Sequence, residues 1–223
     1  MKGKLAELGR KYKHGWVFSY FIFYMICFHI LEKRVTTYHI IYSPIDGHIP
    51  FIEAFIVPYL LWFPYIAAVV LYLFFTNKND FYQSCIFLFS GMTIFLIVSA
   101  VYPNGDLLRP STFPRNNIFT SLVKMVYAAD TPTNILPSIH VFNSIGVYIA
   151  IARNEVLGAN KRIRYSALVL SILIILSTVF VKQHSVIDVV SGCVMACVLY
   201  FVVYNREMLT VESGQLEKRK ANL

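Results

Sequence analysis

Long apolar runs separated by short polar gaps are the main feature of this sequence. Six runs are close to the roughly 20 residues that a helix needs to cross the hydrocarbon of a bilayer. They cover residues 16–31, 54–75, 81–101, 136–152, 165–181 and 186–204. The pattern predicts an all-α fold, an integral membrane bundle of six transmembrane helices, in which the short fourth run begins inside the protein.

The polar gaps add further expectations. The gap at 102–135 is the longest, and within it residues 116–129 carry apolar side chains at helical spacing. We expect a short amphipathic helix there, lying over a functional site, because long loops are usually functional. With no internal repeat and no linker, residues 1–223 are predicted to form a single membrane domain, with a basic lead at 1–15, the six-span bundle at 16–204 and a tail at 205–223.

Composition and charge agree with a membrane protein. Hydrophobic residues make up 57% of the chain and charged residues 14%, whereas about a quarter of a soluble domain is charged. The net charge of +8 does not indicate a nucleic-acid partner, because the basic residues lie in the gaps and not in one patch. Fourteen of the 20 Lys and Arg residues fall in segments on the same side as both termini. The positive-inside rule then predicts a multi-pass cell-membrane protein with cytoplasmic N- and C-termini.

A histidine and an aspartate four residues apart, His184 and Asp188, are the first candidates for chemistry. On a helix, positions i and i+4 lie on one face, so the carboxylate can orient the imidazole. An ionisable group inside a membrane domain costs about 2.5 to 3.5 kcal/mol on insertion scales, and it usually marks a function. The pair is also compatible with a structural hydrogen bond or a proton relay in a transporter.

Two more polar groups fall on the same, non-cytoplasmic side as this pair. Arg109-Pro110 follows the third run, and Pro137-Ser138-Ile139-His140 opens the fourth. A helix N-terminus offers free N–H groups to a phosphate, and Arg109 adds a guanidinium fork. His184 would attack phosphorus through Nε2 while Asp188 accepts its Nδ1–H, and His140 would serve as general acid and later as base. This chemistry requires no metal or other cofactor, although each motif alone is also an ordinary turn or helix start.

The order of the motifs, Arg-Pro, then Pro-Ser-x-His, then Ser-x6-His-x3-Asp, resembles the three signature motifs of the type 2 phosphatidic acid phosphatase superfamily, the membrane lipid phosphate phosphatases. The resemblance covers roughly residues 51–204. It implies a metal-independent phosphohistidine mechanism with His184 as nucleophile, Asp188 as its partner and His140 as acid. The residues expected to bind the substrate phosphate are Arg109, Ser138, Ile139, Thr178 and Lys182.

The chain departs from the family pattern at three positions. Tyr102 stands where the first motif usually has Lys, Ile139 where the second has Gly, and Thr178 where the third has Arg. Two expected cations are therefore missing, and since a diester monoanion needs less positive charge than a monoester dianion, the change favours a phosphodiester substrate. The candidates to replace these cations are Lys182 first, then Arg115 and Lys124.

These observations predict an integral membrane lipid phosphate phosphatase that hydrolyses a phospholipid or isoprenoid (pyro)phosphate on the extracytoplasmic side. The missing cations keep one alternative open, a phosphodiester headgroup transferase similar to the inositol phosphorylceramide and sphingomyelin synthases, which share the His/His/Asp triad. A proton-coupled transporter that is not an enzyme is the second alternative. The partner of either enzyme is a membrane lipid, and the sequence makes no prediction of oligomeric state.

Overall fold

A computed structural model describes residue 7, residues 10–34 and residues 37–221, with 205–221 as backbone only. The basic lead predicted at 1–15 therefore lies partly outside the described residues, as do the side chains of the predicted tail. Helices make up most of the described chain, with only two strands of two residues each. The predicted all-α class is confirmed.

In the described part of the chain, eight α-helices form the bundle and its ends. They are α1 Ser19–Arg34, α2 Ile56–Thr76, α3 Lys78–Val101, α4 Ile118–Ala129, α5 Ile139–Arg153, α6 Glu155–Ala159, α7 Lys161–Phe180 and α8 Val186–Ala221. Shorter elements are the 3-10 helices Lys13–Phe18, Pro44–Gly47 and Glu53–Phe55, and the strands β1 His39–Ile40 and β2 Asn104–Gly105.

Side-chain caps define where several helices begin. The amide oxygens of Asn77, Asn117, Asn154 and Asn160 accept backbone N–H groups in the first turns of α3, α4, α6 and α7. The hydroxyl of Ser138 does the same for α5. Such caps satisfy N–H groups that have no acceptor inside the helix. The sequence thus fixes the starts of five helices locally.

Among the residues that the structure describes, five helices are long and apolar enough to cross a membrane, namely Lys13–Arg34, Glu53–Thr76, Lys78–Val101, Lys161–Phe180 and Val186–Tyr204. Helix α5, which corresponds to the predicted fourth span, has only 15 residues. Its length of about 22 Å falls short of a hydrocarbon core of about 30 Å. The prediction of six spans is therefore not confirmed. Helix α5 instead packs against α2, α3, α7 and α8, so the longer helices enclose it.

Reciprocal glycine and phenylalanine contacts hold α5 against α3. Phe87 and Phe142 stack with ring centroids 4.8 Å apart and an interplanar angle of 6°, and both rings are fully buried. Each ring also lies over a glycine of the other helix, Phe142 over Gly91 and Phe87 over Gly146. Close approach of this kind is typical of membrane helix interfaces, where small residues let backbones come together.

One end of the bundle collects the connecting segments that the site needs. Strands β1 and β2 pair in parallel and join the segment after α1 to the segment after α3. Helix α4 packs there too, with Val123 buried against Ile56, Tyr59 and Val181. Val181 begins the connection between α7 and α8, which carries His184. Residues from four separate parts of the chain therefore meet at this end.

The glycine contacts generate a stability prediction. A Cβ on Gly146 would lie 2.7 Å from the Phe87 ring, so Gly146→Ala must displace a fully buried side chain, at a cost of about 1 to 3 kcal/mol. We expect a clearly lower thermal unfolding midpoint in detergent. Gly15→Ala is the matched control, because its Cβ would meet Phe74 at an ordinary 3.6 Å. Equal midpoints for the two variants would contradict the packing described.

Candidate active site

Two histidines from different elements are in direct contact at this end of the bundle. His140 Nδ1 lies 3.3 Å from His184 Nε2, and the ring centroids are 5.4 Å apart. His140 comes from the first turn of α5, and His184 comes from the connection before α8. The fold thus brings together two residues that are 44 positions apart in the sequence. The sequence prediction that these two side chains share one face of the bundle agrees with their positions.

Asp188 lies beside His184 but does not complete the expected hydrogen bond. Asp188 Oδ2 is 3.4 Å from His184 Nδ1 and accepts the Ser185 N–H at 2.8 Å instead. His184 Nδ1 and Asp188 Oδ1 have no hydrogen-bond partner among the described residues. The carboxylate is therefore next to the imidazole nitrogen predicted to need it, in a fully buried position.

His184 lies in a connection, 181–185, whose five residues are all buried. The Thr178 carbonyl accepts the N–H groups of Gln183 and His184, at 2.9 and 3.1 Å. The Tyr127 hydroxyl of α4 donates to the Val181 carbonyl at 2.6 Å. Lys182 takes a left-handed backbone conformation with φ of 53°, which ends α7 and turns the chain toward α8. These contacts fix the position of the His184 backbone.

Asp46 holds the far end of the same connection and was missed by the sequence analysis. Its carboxylate accepts the Ser185 hydroxyl at 2.6 Å, the Val186 N–H at 2.8 Å and the Ser43 N–H at 2.7 Å. It therefore caps α8 from a segment about 140 residues earlier in the chain. The only local signal is the turn around Pro44, where Ser43 and Asp46 form a capping box. That pattern indicates a turn, and it does not reveal the distant helix.

Asn104 performs a similar task for the segment before α5 and was also missed. It is fully buried, and its side-chain oxygen accepts the N–H groups of Ile135 and Leu136, both at 2.9 Å. Its backbone carbonyl accepts the Asn134 N–H at 2.6 Å. These bonds position the chain just before Ser138. Asn104 thus links the end of α3 to the start of α5.

Arg109 reaches the site through its neighbour Gln183. Its Nη2 donates to Gln183 Oε1 at 2.7 Å, while Nη1 donates to the carbonyls of Asp130 and Tyr127 at 2.7 and 3.2 Å. The guanidinium also lies over the Tyr127 ring, 4.6 Å from its centroid. Arg109 Nε is buried without a partner among the described residues. Arg109 is therefore anchored next to His184, with one N–H group free for a ligand.

The other predicted phosphate-binding residues are engaged elsewhere. The Ser138 N–H donates to the Asp188 carbonyl at 3.2 Å, so it is not the free donor that was expected. The Thr178 hydroxyl donates to the Ile175 carbonyl, and Thr178 is fully buried. Ile139 is buried among apolar neighbours, which leaves its backbone N–H in the first turn of α5 as the group suited to an anion.

Lys182 and the two other replacement cations also have partners. Lys182 Nζ donates to the carbonyls of Asp46 and Ile49 at 2.8 and 2.6 Å, which uses two of its three N–H groups. Arg115 Nη1 lies 3.3 Å from a Glu53 carboxylate oxygen. Lys124 lies over the Phe113 ring, 5.2 Å from its centroid. These contacts leave Lys182 with one donor for a phosphate.

Aromatic rings form the walls around the histidine pair. His140 lies against Trp62, with ring centroids 4.3 Å apart, and against Tyr59 at 4.7 Å. Tyr102, at the position where the family motif has Lys, stacks on His39 at 4.3 Å with an interplanar angle of 2°. The first pair of rings holds His140 in place, while Tyr102 contributes packing where a cation was expected.

Burial shifts the pKa of several titratable groups outside the spans, among them His184 and Asp106. Burial, followed by the positive charge of Arg109, lowers the pKa of His184 to about 3, so its imidazole is neutral at neutral pH. Burial is also the main cause that raises the pKa of Asp106 to about 7, with smaller contributions from the carboxylates of Asp188 and Asp46. Asp106 accepts the Leu108 N–H through Oδ1, and its Oδ2 is unpartnered among the described residues.

Apolar helices and a cluster of histidine, aspartate and arginine, in which His184 and Asp188 are buried, indicate a membrane protein with a polar site at one end of its bundle. The family model of the PAP2 superfamily matches residues 104–209, just under half of the chain, and the match contains Arg109, His140, His184 and Asp188. This part of the chain is similar to the type 2 phosphatidic acid phosphatase superfamily. No curated protein and no solved structure matches the chain. The family match and the apolar helices together fit a membrane protein of the phosphatase type.

The Asp46 contacts predict that Asp46→Asn, a small change in side-chain structure, lowers the stability of the protein. In Asp46→Asn one oxygen becomes an NH2 group, which faces buried donors and leaves at least one of them unpaired, at a cost of about 1 to 3 kcal/mol. We expect the unfolding midpoint to fall by roughly 2 to 12 °C. Glu155→Gln, the same change at an exposed carboxylate, should leave it unchanged. A midpoint for Asp46→Asn equal to that of Glu155→Gln would contradict the capping role.

Asp106 predicts a pH dependence of stability. Its pKa is about 7 in the folded chain against an ordinary 3.8, so between these values the folded state binds the extra proton and stability falls as pH rises. Asp106→Asn removes this proton binding. As the pH rises from 5 to 8, the free energy of unfolding of the variant should therefore increase by about 2 to 3 kcal/mol relative to that of wild type. Unfolding midpoints of both proteins across this range would test it. A constant difference between them would mean that Asp106 is ionised throughout.

Proposed function

We propose that the chain is a multi-pass membrane enzyme that dephosphorylates a lipid phosphate through a phosphohistidine. The observation that carries the proposal is the contact between His140 Nδ1 and His184 Nε2 at 3.3 Å, inside the segment that matches the PAP2 superfamily model. Two imidazoles side by side can divide the work of a nucleophile and a proton donor. The single membrane domain exists, on this proposal, to hold that pair at the bilayer edge.

His184 is the proposed nucleophile and His140 the proposed general acid. Nε2 of His184 attacks phosphorus, and the bond between phosphorus and the lipid oxygen breaks. His140 gives a proton to that oxygen as it leaves. Water, deprotonated by His140, then cleaves the nitrogen–phosphorus bond and releases phosphate. The low pKa of His184, about 3 because of its burial, supports its role as the nucleophile, since only the neutral ring can attack.

Substrate binding requires the two rings to separate. A nucleophile lies about 3 to 3.5 Å from the atom it attacks before reaction, and the leaving oxygen needs a hydrogen bond of about 3 Å from the acid. The phosphoryl group therefore needs roughly 3 Å more than the present 3.3 Å contact. Arg109 Nε and the first N–H groups of α5 are the donors proposed to hold its oxygens, with Asp188 orienting the nucleophile and Lys182 giving its remaining donor.

The proposed substrate is a lipid because the site lies at one end of a bundle of apolar helices. The distribution of Lys and Arg supports cytoplasmic termini and a site on the extracytoplasmic side of the cell membrane. A phospholipid or isoprenoid phosphate or pyrophosphate fits this placement, since its headgroup lies at the surface and its chain in the hydrocarbon.

Transfer of a phosphodiester headgroup between lipids is the second candidate. The observation that favours it is the engagement of cations, since Lys182 is bound to two carbonyls and Tyr102 stacks on His39. A diester carries one negative charge and requires fewer cations than a monoester dianion. In this case the hydroxyl of an acceptor lipid replaces water in the second step.

A labelling experiment tests the proposed function. Purified protein in vesicles, given a lipid phosphate labelled with radioactive phosphorus, should release free phosphate and carry a trapped, acid-labile phosphohistidine. We expect His184→Ala to lose the label and to lower phosphate release by a factor of about 10³ or more. His29→Ala, which changes an exposed histidine of α1, is the control and should behave as wild type.

The same assay separates the alternatives. A new labelled lipid that forms only when diacylglycerol or ceramide and a phosphodiester donor are present identifies the transferase. Turnover in His184→Ala equal to that in wild type would reject His184 as nucleophile. A wild-type protein with no turnover and no effect of vanadate, which mimics the phosphoryl transition state, would fit the proton-coupled transporter instead.

A further inference from the structure

An apolar groove runs along the outside of the bundle between α3 and α8. Its volume is about 670 Å³. Ile94 and Val98 line it from α3, and Val190, Val194 and Val198 line it from α8. Both helices are candidate membrane spans, so the groove faces the hydrocarbon of a bilayer. A water-soluble partner cannot reach a surface at that depth.

One end of the groove is lined by residues that are next in the chain to residues of the candidate site. Leu136 and Pro137 line this end together with Val186 and Ile187. The next residue after Pro137 is Ser138, and the next after Ile187 is Asp188. The Ser138 N–H donates to the Asp188 carbonyl at 3.2 Å, so this hydrogen bond joins the two walls where the groove meets the candidate site.

Nearly all of the groove's lining is hydrocarbon. Ser191 is the one polar side chain among the lining residues that the structure describes, and its hydroxyl donates to the Asp188 carbonyl at 2.9 Å. An occupant therefore finds apolar contacts along the whole length and no free hydrogen-bonding group at Ser191. A polar chain or a peptide with exposed backbone would leave its own polar groups unsatisfied here.

The size of the groove distinguishes a hydrocarbon chain from a helix. The lining of α8 extends from Val186 to Leu199, which is a length of about 20 Å. A helical segment of that length and about 10 Å across takes up roughly 1,500 Å³, more than twice the 670 Å³ available. Spread over about 20 Å, the volume gives a channel roughly 6 Å across, which suits one alkyl chain.

We propose that this groove holds the hydrocarbon chain of the substrate while its phosphate lies between His140 and His184, an inference that rests on the proposed function. The chain gains little transfer free energy, because bilayer hydrocarbon is as apolar as the lining. The groove instead acts by positioning the lipid relative to the histidine pair. It lets a lipid bring its headgroup to a buried histidine without removing its chain from the membrane, so its effect appears in the turnover of chain-bearing esters.

Filling the groove tests the proposal. Val190→Trp, at a position 55% exposed, puts an indole in the channel one helical turn from the site end. We expect it to lower turnover of hexadecyl phosphate in vesicles by at least about tenfold, while turnover of water-soluble butyl phosphate stays at the wild-type rate. Val169→Trp is the matched control on α7, since Val169 is also 55% exposed and lies outside the groove. It should leave both rates unchanged.

A second variant tests how far along the groove the hydrocarbon chain extends, and it replaces Val190→Trp if that variant does not fold. Val194→Trp lies about 12 Å along α8 from Val186, so it should slow the hexadecyl ester and spare an octyl ester that Val190→Trp slows. If Val190→Trp does not fold, Val194→Trp alone decides, by the ratio of the hexadecyl to the butyl rate. A ratio equal to that of Val169→Trp would overturn the groove proposal.

Two further results of these assays have a meaning different from that of an unchanged ratio of the hexadecyl to the butyl rate. Equal loss on both esters together with a changed oligomeric mass in Val190→Trp would assign the groove to a second copy of the chain and overturn the proposal. No phosphate release from either ester by the wild-type protein would overturn the proposed function, and the groove proposal with it. Hydrolysis of both esters by wild type, with selective loss only of the long one in Val190→Trp, is the expected result.

Discussion

The burial of the short connection between α7 and α8 is the constraint on which the site depends. Residues 181–185 include a lysine, a glutamine, a histidine and a serine, and all five residues are buried. A buried polar group without a partner costs about 1 to 3 kcal/mol, so such a connection forms only if the protein supplies partners. Thr178 and Tyr127 bond its backbone. Arg109 and Asp46 bond its side chains.

Those partners come from segments that are far apart in the sequence. The turn around Asp46 precedes α2, Arg109 follows α3, and Tyr127 belongs to α4. Each contact removes one way in which the connection could move. The position of His184 against His140 is therefore the result of the whole end of the bundle, including a segment that lies before the region matched by the family model. The triad residues alone do not define the site.

The sequence predicted what depends on local pattern. Three apolar runs begin and end within a few residues of α2, α3 and α7, and a fourth begins at the first residue of α8, because the length of an apolar run is a property of the run itself. The fourth run was predicted as a span, yet α5 has 15 residues. Hydropathy cannot distinguish a helix surrounded by lipid from one enclosed by other helices, since both are apolar.

The site was predictable in its residue types and not in its hydrogen bonds. His140, His184 and Asp188 come together because each lies at or near the same end of a helix. Lys182 was expected to face a phosphate, but its ammonium meets carbonyls 136 and 133 residues away, a pairing that no local pattern encodes. The role of Asp46 was not predicted for the same reason. Its role depends on a helix N-terminus that only the folded chain brings near.

The charges near the histidine pair limit which anion the site can hold. Asp46, Asp106 and Asp188 are buried carboxylates, and the cations beside them are Arg109 and Lys182, both bound to protein groups. An arriving phosphate adds negative charge to an enclosed region that has little positive charge to spare. Asp106, with a pKa of about 7, can take up a proton near neutral pH and so reduce that repulsion. Proton uptake at this carboxyl group can thus compensate in part for the cations that Tyr102 and Thr178 do not provide.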